Sequence, residues 1–132
     1  MYSMLLHHVG IIVNDVEKAA EQLPKGILIN DVYDPLQDAR LVLYENFGTS
    51  YLELIQPLSV SSPTWNQLKV NNNHINHFCY AAKKHDDVEI LINDLDLLRV
   101  SRWMPAILFP DCEVMFCYSR AKIMLEFLVK ND

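Results

Sequence analysis

Four polar side chains, His8, Glu53, His77 and Glu126, each interrupt an apolar run that reads as a buried strand. No other pattern in the chain restricts its fold as strongly. His8 lies in Leu-Leu-His-His-Val-Gly-Ile-Ile-Val (5–13) and Glu53 in Tyr-Leu-Glu-Leu-Ile (51–55). His77 lies in His-Ile-Asn-His-Phe-Cys-Tyr (74–80) and Glu126 in Ile-Met-Leu-Glu-Phe-Leu-Val (123–129). The separation of His from Glu is similar in both halves, so one His…Glu unit is given twice. A carboxylate taken out of water costs several kcal/mol unless it is paired or bound to a metal. Two imidazoles and two carboxylates from matching places in a duplicated unit can supply that compensation by sharing one ion.

The segments between these residues repeat as well. Residues 4–13 read as a buried strand. Asn14-Asp15 offers a helix N-cap, residues 16–23 carry apolar residues at helical spacing, and Pro24-Lys25-Gly26 ends the helix. Strands are expected at 27–33, 40–45 and 50–56. Residues 57–73 are a polar connector containing a short amphipathic piece at 64–68. The second half gives a strand at 74–81, a helix near 86–94, extended residues near 98–101, a loop through Pro105 and Pro110, and strands at 113–118 and 122–129. The expected architecture is a single α+β domain over 1–132. Its two β-α-β-β-β modules span about 4–57 and 74–130, with a connector at about 58–73.

Size and charge exclude several function classes. The chain has 132 residues, 51% hydrophobic and 21% charged, enough for a core without disulfide or zinc staples. With 11 basic against 17 acidic residues and no basic cluster, neither a nucleic-acid surface nor an anionic membrane surface is expected. No apolar stretch approaches the roughly 18–20 residues of a membrane span. The N-terminal residues lack the pattern of a secretory leader, so cytoplasm is the expected location. Cys79, Cys112 and Cys117 lack zinc or redox spacing and are expected as small buried hydrophobes.

Several of these segments resemble a known family. Residues 6–19, which open Leu-His-His-Val-Gly, and residues 53–63 (Glu-Leu-Ile-Gln-Pro-Leu-Ser-Val-Ser-Ser-Pro) are similar to the vicinal oxygen chelate superfamily. So are Ile-Asn-His-Phe-Cys-Tyr (75–80) and Met-Leu-Glu-Phe-Leu (124–128). Within it the likeness is greatest to the methylmalonyl-CoA epimerase branch, then to glyoxalase I. The resemblance implies a curled mixed sheet with a metal cup, ligands from the first and last strands of each module, and a homodimer acting on a small molecule. Position by position, the ligands carry over to His8, Glu53, His77 and Glu126. It further implies Glu126 as catalytic base, with Glu53 second.

Alternation along strands agrees with this ligand set, because Leu6, His8, Gly10 and Ile12 share one face, as do Ile75, His77 and Cys79. The donors suit one divalent ion: Zn, Ni, Co, Mn or Fe. Such an ion favours enolate or enediolate chemistry. A metal-dependent epimerase acting on an acyl thioester or related 2-substituted carbonyl compound is the first expectation. A glyoxalase I-like lyase, a ring-cleaving dioxygenase and a binding module with a vestigial cup are the alternatives. Epimerisation is easiest with two bases. In some epimerases the second lies on the third strand of the first module, where the alignment puts Val42, with Glu45 on the opposite face. His7, His74 and His85 are expected to have no part in the site. Asp38 and Glu45 are expected to be solvated, and Arg40 and Arg102 are either anion contacts or surface charges.

Overall fold

The computed structural model describes residues 3–131. Met1, Tyr2 and Asp132, the outermost residues of the expected domain, lie outside the described residues. The fold is α+β, with nine strands and three helices among the described residues. The chain forms two compact units, residues 8–76 and residues 77–131 joined by 3–7.

The first unit takes most of β1 (Met4–Ile12), then α1 (Val16–Gln22), β2 (Leu28–Asp34), β3 (Ala39–Asn46), β4 (Ser50–Pro57) and α2 (Trp65–Asn71). Its strand order is β2-β3-β4-β1. β1 and β4 are parallel, in the register His8↔Tyr51 to Ile12↔Ile55, and the other pairs are antiparallel. A parallel pair needs a crossover, and α1 begins it. The Asp15 carboxylate accepts from Lys18 N at 3.2 Å as N-cap. Val16, Ala19 and Ala20 then pack on Val13, Val42 and Leu54, and Val16 N donates to Gln56 Oε1 at 2.9 Å.

Glycine is required at two positions in this unit. A Cβ on Gly26 would lie 2.8 Å from the Glu45 carbonyl oxygen that its N–H reaches, and Gly48 turns the β3–β4 hairpin at φ 84. Helix α2 runs further than the expected 64–68, because Asn72 caps it at φ 57 with its N–H on the Leu68 carbonyl.

The second unit contains most of β5 (His74–Ala82), then α3 (His85–Leu95), β6 (Leu98–Arg99), β7 (Met104–Pro105), β8 (Cys112–Tyr118) and β9 (Met124–Lys130). β5 and β9 are parallel, β8 and β9 antiparallel, and β6 and β7 both pair with β8. The irregular third strand of this half is therefore two short pieces separated by Ser101. Its hydroxyl accepts from Phe116 N at 3.0 Å, where a regular ladder would offer a carbonyl. Pro105 has no N–H to donate, and it occupies a strand only two residues long. Behind the sheet, Val88, Ile92 and Leu97 pack on Met115, Phe127 and Val129, and Met4 joins them. Helix α3 ends on Asp96 in the left-handed region, with Leu97 N donating to Ile92 O at 3.0 Å. No helix among the described residues is long and apolar enough to cross a membrane.

Candidate functional site

In the first unit, neighbouring parallel strands carry His8 and Glu53. Both side chains are buried, and His8 Nε2 lies 3.7 Å from Glu53 Oε1. In the second unit the equivalent strands carry His77 and Glu126, also buried, at 3.1 Å. The two pairs share one register. Glu53 stands opposite Gly10, two residues after His8, and Glu126 stands opposite Cys79, two residues after His77. Each pair offers an imidazole nitrogen and a carboxylate oxygen, donors that a divalent ion of borderline softness accepts.

The antiparallel neighbours of the carboxylates are apolar in both units. Leu43 stands opposite Glu53, and Phe116 opposite Glu126. The Phe116 ring meets the His77 imidazole edge-on, with centroids 5.8 Å apart and planes at 83°. This register corrects the alignment that put Val42 at the carboxylate position. Val42 pairs with Leu54 and packs against α1, on the face opposite Glu53. Glu45 pairs with Tyr51, so it shares the face of Leu43 and Glu53 instead of pointing away from them. Among the residues of β3 it is the only ionisable one on that face.

The remaining polar residues settle into other roles. His7 stacks edge-on against Phe109 at 4.7 Å, and His74 Nδ1 lies 2.7 Å from the Asn72 carbonyl oxygen. His85 is half-buried. It lies 3.0 Å from Glu113 and its ring meets Trp103 at 4.5 Å. Asp38, expected as a solvated loop carboxylate, accepts from Ser59, Ser61 and Tyr33. These three donors hold its carboxyl below the ordinary 3.8, and the Tyr33 phenol is pushed up in return. Arg40 bridges Asp31 and Glu17 at 2.8 and 2.6 Å, so its guanidinium is already occupied. That contact lowers the Asp31 carboxyl and raises Arg40. Arg102 is exposed. Cys79 and Cys117 are buried as expected, and Cys112 is half-buried; loss of hydration raises the thiols of Cys112 and Cys117.

Sequence reading passed over Phe116 and Ser101. Phe116 carried a signal, since a strand hairpin ending at Glu126 must put some residue of the preceding strand beside it. Ser101 carried none, because its role depends on a partner 15 residues away.

Comparison with known proteins gives the family and the fold. A family model described as the glyoxalase/bleomycin resistance protein/dioxygenase superfamily matches residues 7–116. The mitochondrial methylmalonyl-CoA epimerase of Bos taurus is 31% identical over 94 residues, 68% of this chain and 51% of that protein. The chain thus spans about half the length of the curated relative it matches. A hypothetical protein from Bacillus halodurans C-125 has a TM-score of 0.81 at 22% identity, covering 98% of this chain and 96% of its own. Methylmalonyl-CoA epimerase from Mycobacterium tuberculosis also scores 0.81, at 19% identity, covering 96% and 88%. A Streptomyces coelicolor methylmalonyl-CoA epimerase variant in complex with 2-nitronate-propionyl-CoA scores 0.78 at 16% identity, covering 97% and 98%. The structural likeness gives the vicinal oxygen chelate fold, and the family model extends over most of the chain. The chain belongs to the glyoxalase/bleomycin resistance protein/dioxygenase superfamily.

Proposed function

We propose that this protein is a metal-dependent epimerase acting through an enolate on an acyl thioester or a related 2-substituted carbonyl compound. His8, Glu53, His77 and Glu126 together hold one divalent ion (Zn, Ni, Co, Mn or Fe), and the working form is a cytoplasmic homodimer. The observation that carries the proposal is the pair of buried His–carboxylate couples at the same register in the two units. Four such groups on apolar strands are costly to bury unless a cation compensates the carboxylates. The bound ion supplies Lewis-acid stabilisation of the negative charge that develops beside the carbonyl.

The chain's own groups do the rest. Glu126 takes the α-proton, with Glu53 the second candidate. Glu45, on the face of Glu53, is the group available to return a proton from another direction. Diagonal neighbours on paired strands stand about 7–8 Å apart, within reach of long side chains. The epimerases in complex with 2-nitronate-propionyl-CoA and with methylmalonyl-CoA support an acyl thioester as substrate. A glyoxalase I-like lyase is the second reading, favoured by Leu43 opposite Glu53, since a lyase that moves a proton on one face needs one base only.

The test is solvent deuterium incorporation at the α-carbon of methylmalonyl-CoA by protein purified without chelator. Exchange that disappears in Glu126→Ala supports the proposal. No exchange above background excludes that substrate, and a wild type that takes up no divalent metal at any supply rules out the metal-dependent reading as a whole.

A further inference from the structure

The second unit contains an apolar wall that the proposed chemistry does not yet use. Within this unit Glu126 lies between Cys79 on β5 and Phe116 on β8, its two cross-strand neighbours. Cys79, Val114 and Leu128 form a buried cluster, and Phe116, Phe109, Met104 and Ala106 pack against it. Cys79 and its two partners are covered, whereas Phe116 and Phe109 are only half-buried. The two rings are therefore aromatic parts of the wall that a small molecule can still touch.

Phe116 is also held unusually firmly. Its N–H donates to Ser101 Oγ at 3.0 Å, and its carbonyl accepts from Val100 N at 2.8 Å and Ser101 N at 3.3 Å. Ser101 Oγ in turn donates to the Arg102 carbonyl at 2.9 Å. Both backbone groups of Phe116 are thus tied to one neighbouring residue at the start of the segment that carries Met104 and Phe109. On the other side, its ring edge meets His77. A ring fixed at the backbone and packed at its edge yields little to a larger ligand.

We propose that Phe116, with Phe109, sets substrate specificity by limiting the group on the substrate's α-carbon to a short apolar one, and that Ser101 is the positioning residue that fixes this limit. The assignment rests on the enolate reading above, in which the α-carbon is presented to Glu126. A polar group set against the rings would lose its water without gaining a partner, so the wall receives the apolar α-substituent, the methyl group of methylmalonyl-CoA for example, and leaves that substrate's carboxylate on the other side of the α-carbon. A longer alkyl chain would meet a wall that does not give way. One methylene in such a pocket changes selection by about 10–200-fold.

The experiment measures equilibrium binding of propionyl-CoA, with a methyl group on its α-carbon, and hexanoyl-CoA, with a butyl group, to the metal-loaded protein by calorimetry. The wild type is expected to bind propionyl-CoA at least ten-fold more tightly. Phe116→Ala is expected to remove that preference, Phe116→Leu to keep most of it, and Ser101→Ala to weaken it in part. If Phe116→Ala does not fold, the Phe116→Leu and Ser101→Ala pair decides, because a wall held by Ser101 predicts a smaller ratio in the second. Equal wild-type affinities, binding of neither thioester, or ratios unchanged in folded variants overturn the proposal. Deuterium exchange separates the two readings. Discrimination by chain length without α-proton exchange keeps the wall and rejects the enolate chemistry.

Discussion

The buried His77–Glu126 couple predicts opposite effects on stability with and without metal. Unfolding entropy is about 2.1 cal/mol/K per residue near 60 °C. For 132 residues this gives about 0.28 kcal/mol/K. An ion that binds only the folded chain adds about 4.1 kcal/mol at a thousand times its Kd. The melting temperature should then rise by about 15 °C, with about 5 °C more for each further decade of free metal. His77→Ala leaves Glu126 buried beside a missing partner, at 3% and 7% exposure for the two wild-type residues. Breaking one side of a buried pair costs about 3–5 kcal/mol, so the metal-free variant should melt about 11–18 °C lower.

Replacing both residues by leucine should do the reverse, because exchange of a buried pair for packed apolar groups is neutral or stabilising by about 1–4 kcal/mol. That double variant should melt at or above the metal-free wild type and respond only weakly to added metal. The assay is thermal unfolding by circular dichroism after chelator treatment, repeated across a titration with each divalent ion. A wild-type melting temperature that none of the five ions moves refutes the reasoning. So does a double-leucine variant that keeps the full metal response.

Three further outcomes follow from the strand register and the charge contacts. Glu45→Gln should lower stereochemical inversion by about 100-fold or more while deuterium exchange at the α-carbon persists; equal loss of both would assign Glu45 elsewhere. Val42→Glu should not add a catalytic group, because Val42 faces α1 at 1% exposure; in urea unfolding it should cost several kcal/mol, and near-wild-type stability would contradict the register. Asp38 has a folded-state pKa below its unfolded value, so its contribution is complete above about pH 4 and is lost as pH falls through the lowered value. The melting-temperature gap between wild type and Asp38→Asn should therefore hold at neutral pH and close in acid, and a gap that widens in acid would reverse the assignment.

The buried His–Glu couples were readable in the sequence because a histidine or glutamate inside an apolar strand stands out against its neighbours. Strands β1, β4, β5 and β9 are long and apolar, and their extents were legible to within about two residues, the usual margin for element ends. Features set by distant partners were not. His85 looks like a charged turn residue until Glu113 and Trp103 are brought beside it. The break in the third strand of the second unit depends on Ser101 reaching Phe116. The error at Val42 was one of register. Successive residues along a strand alternate faces, and Val42 turns to α1 while Glu45, three residues on, shares the face of Glu53.

The divided β6–β7 strand also bears on open-ended pairing between strand edges. An exposed, unbroken strand edge is a template onto which another chain can add. The edge of β8 is covered by two pieces of two residues each, separated at Ser101 and closed by Pro105. At the far edge of the first unit, β2 is bulged between Leu28 and Asn30 and carries Asp31 and Asp34. Neither edge offers a long, regular row of free backbone groups. The irregularity that fixes Phe116 beside the candidate base also shortens the row of backbone groups that a second strand could add to.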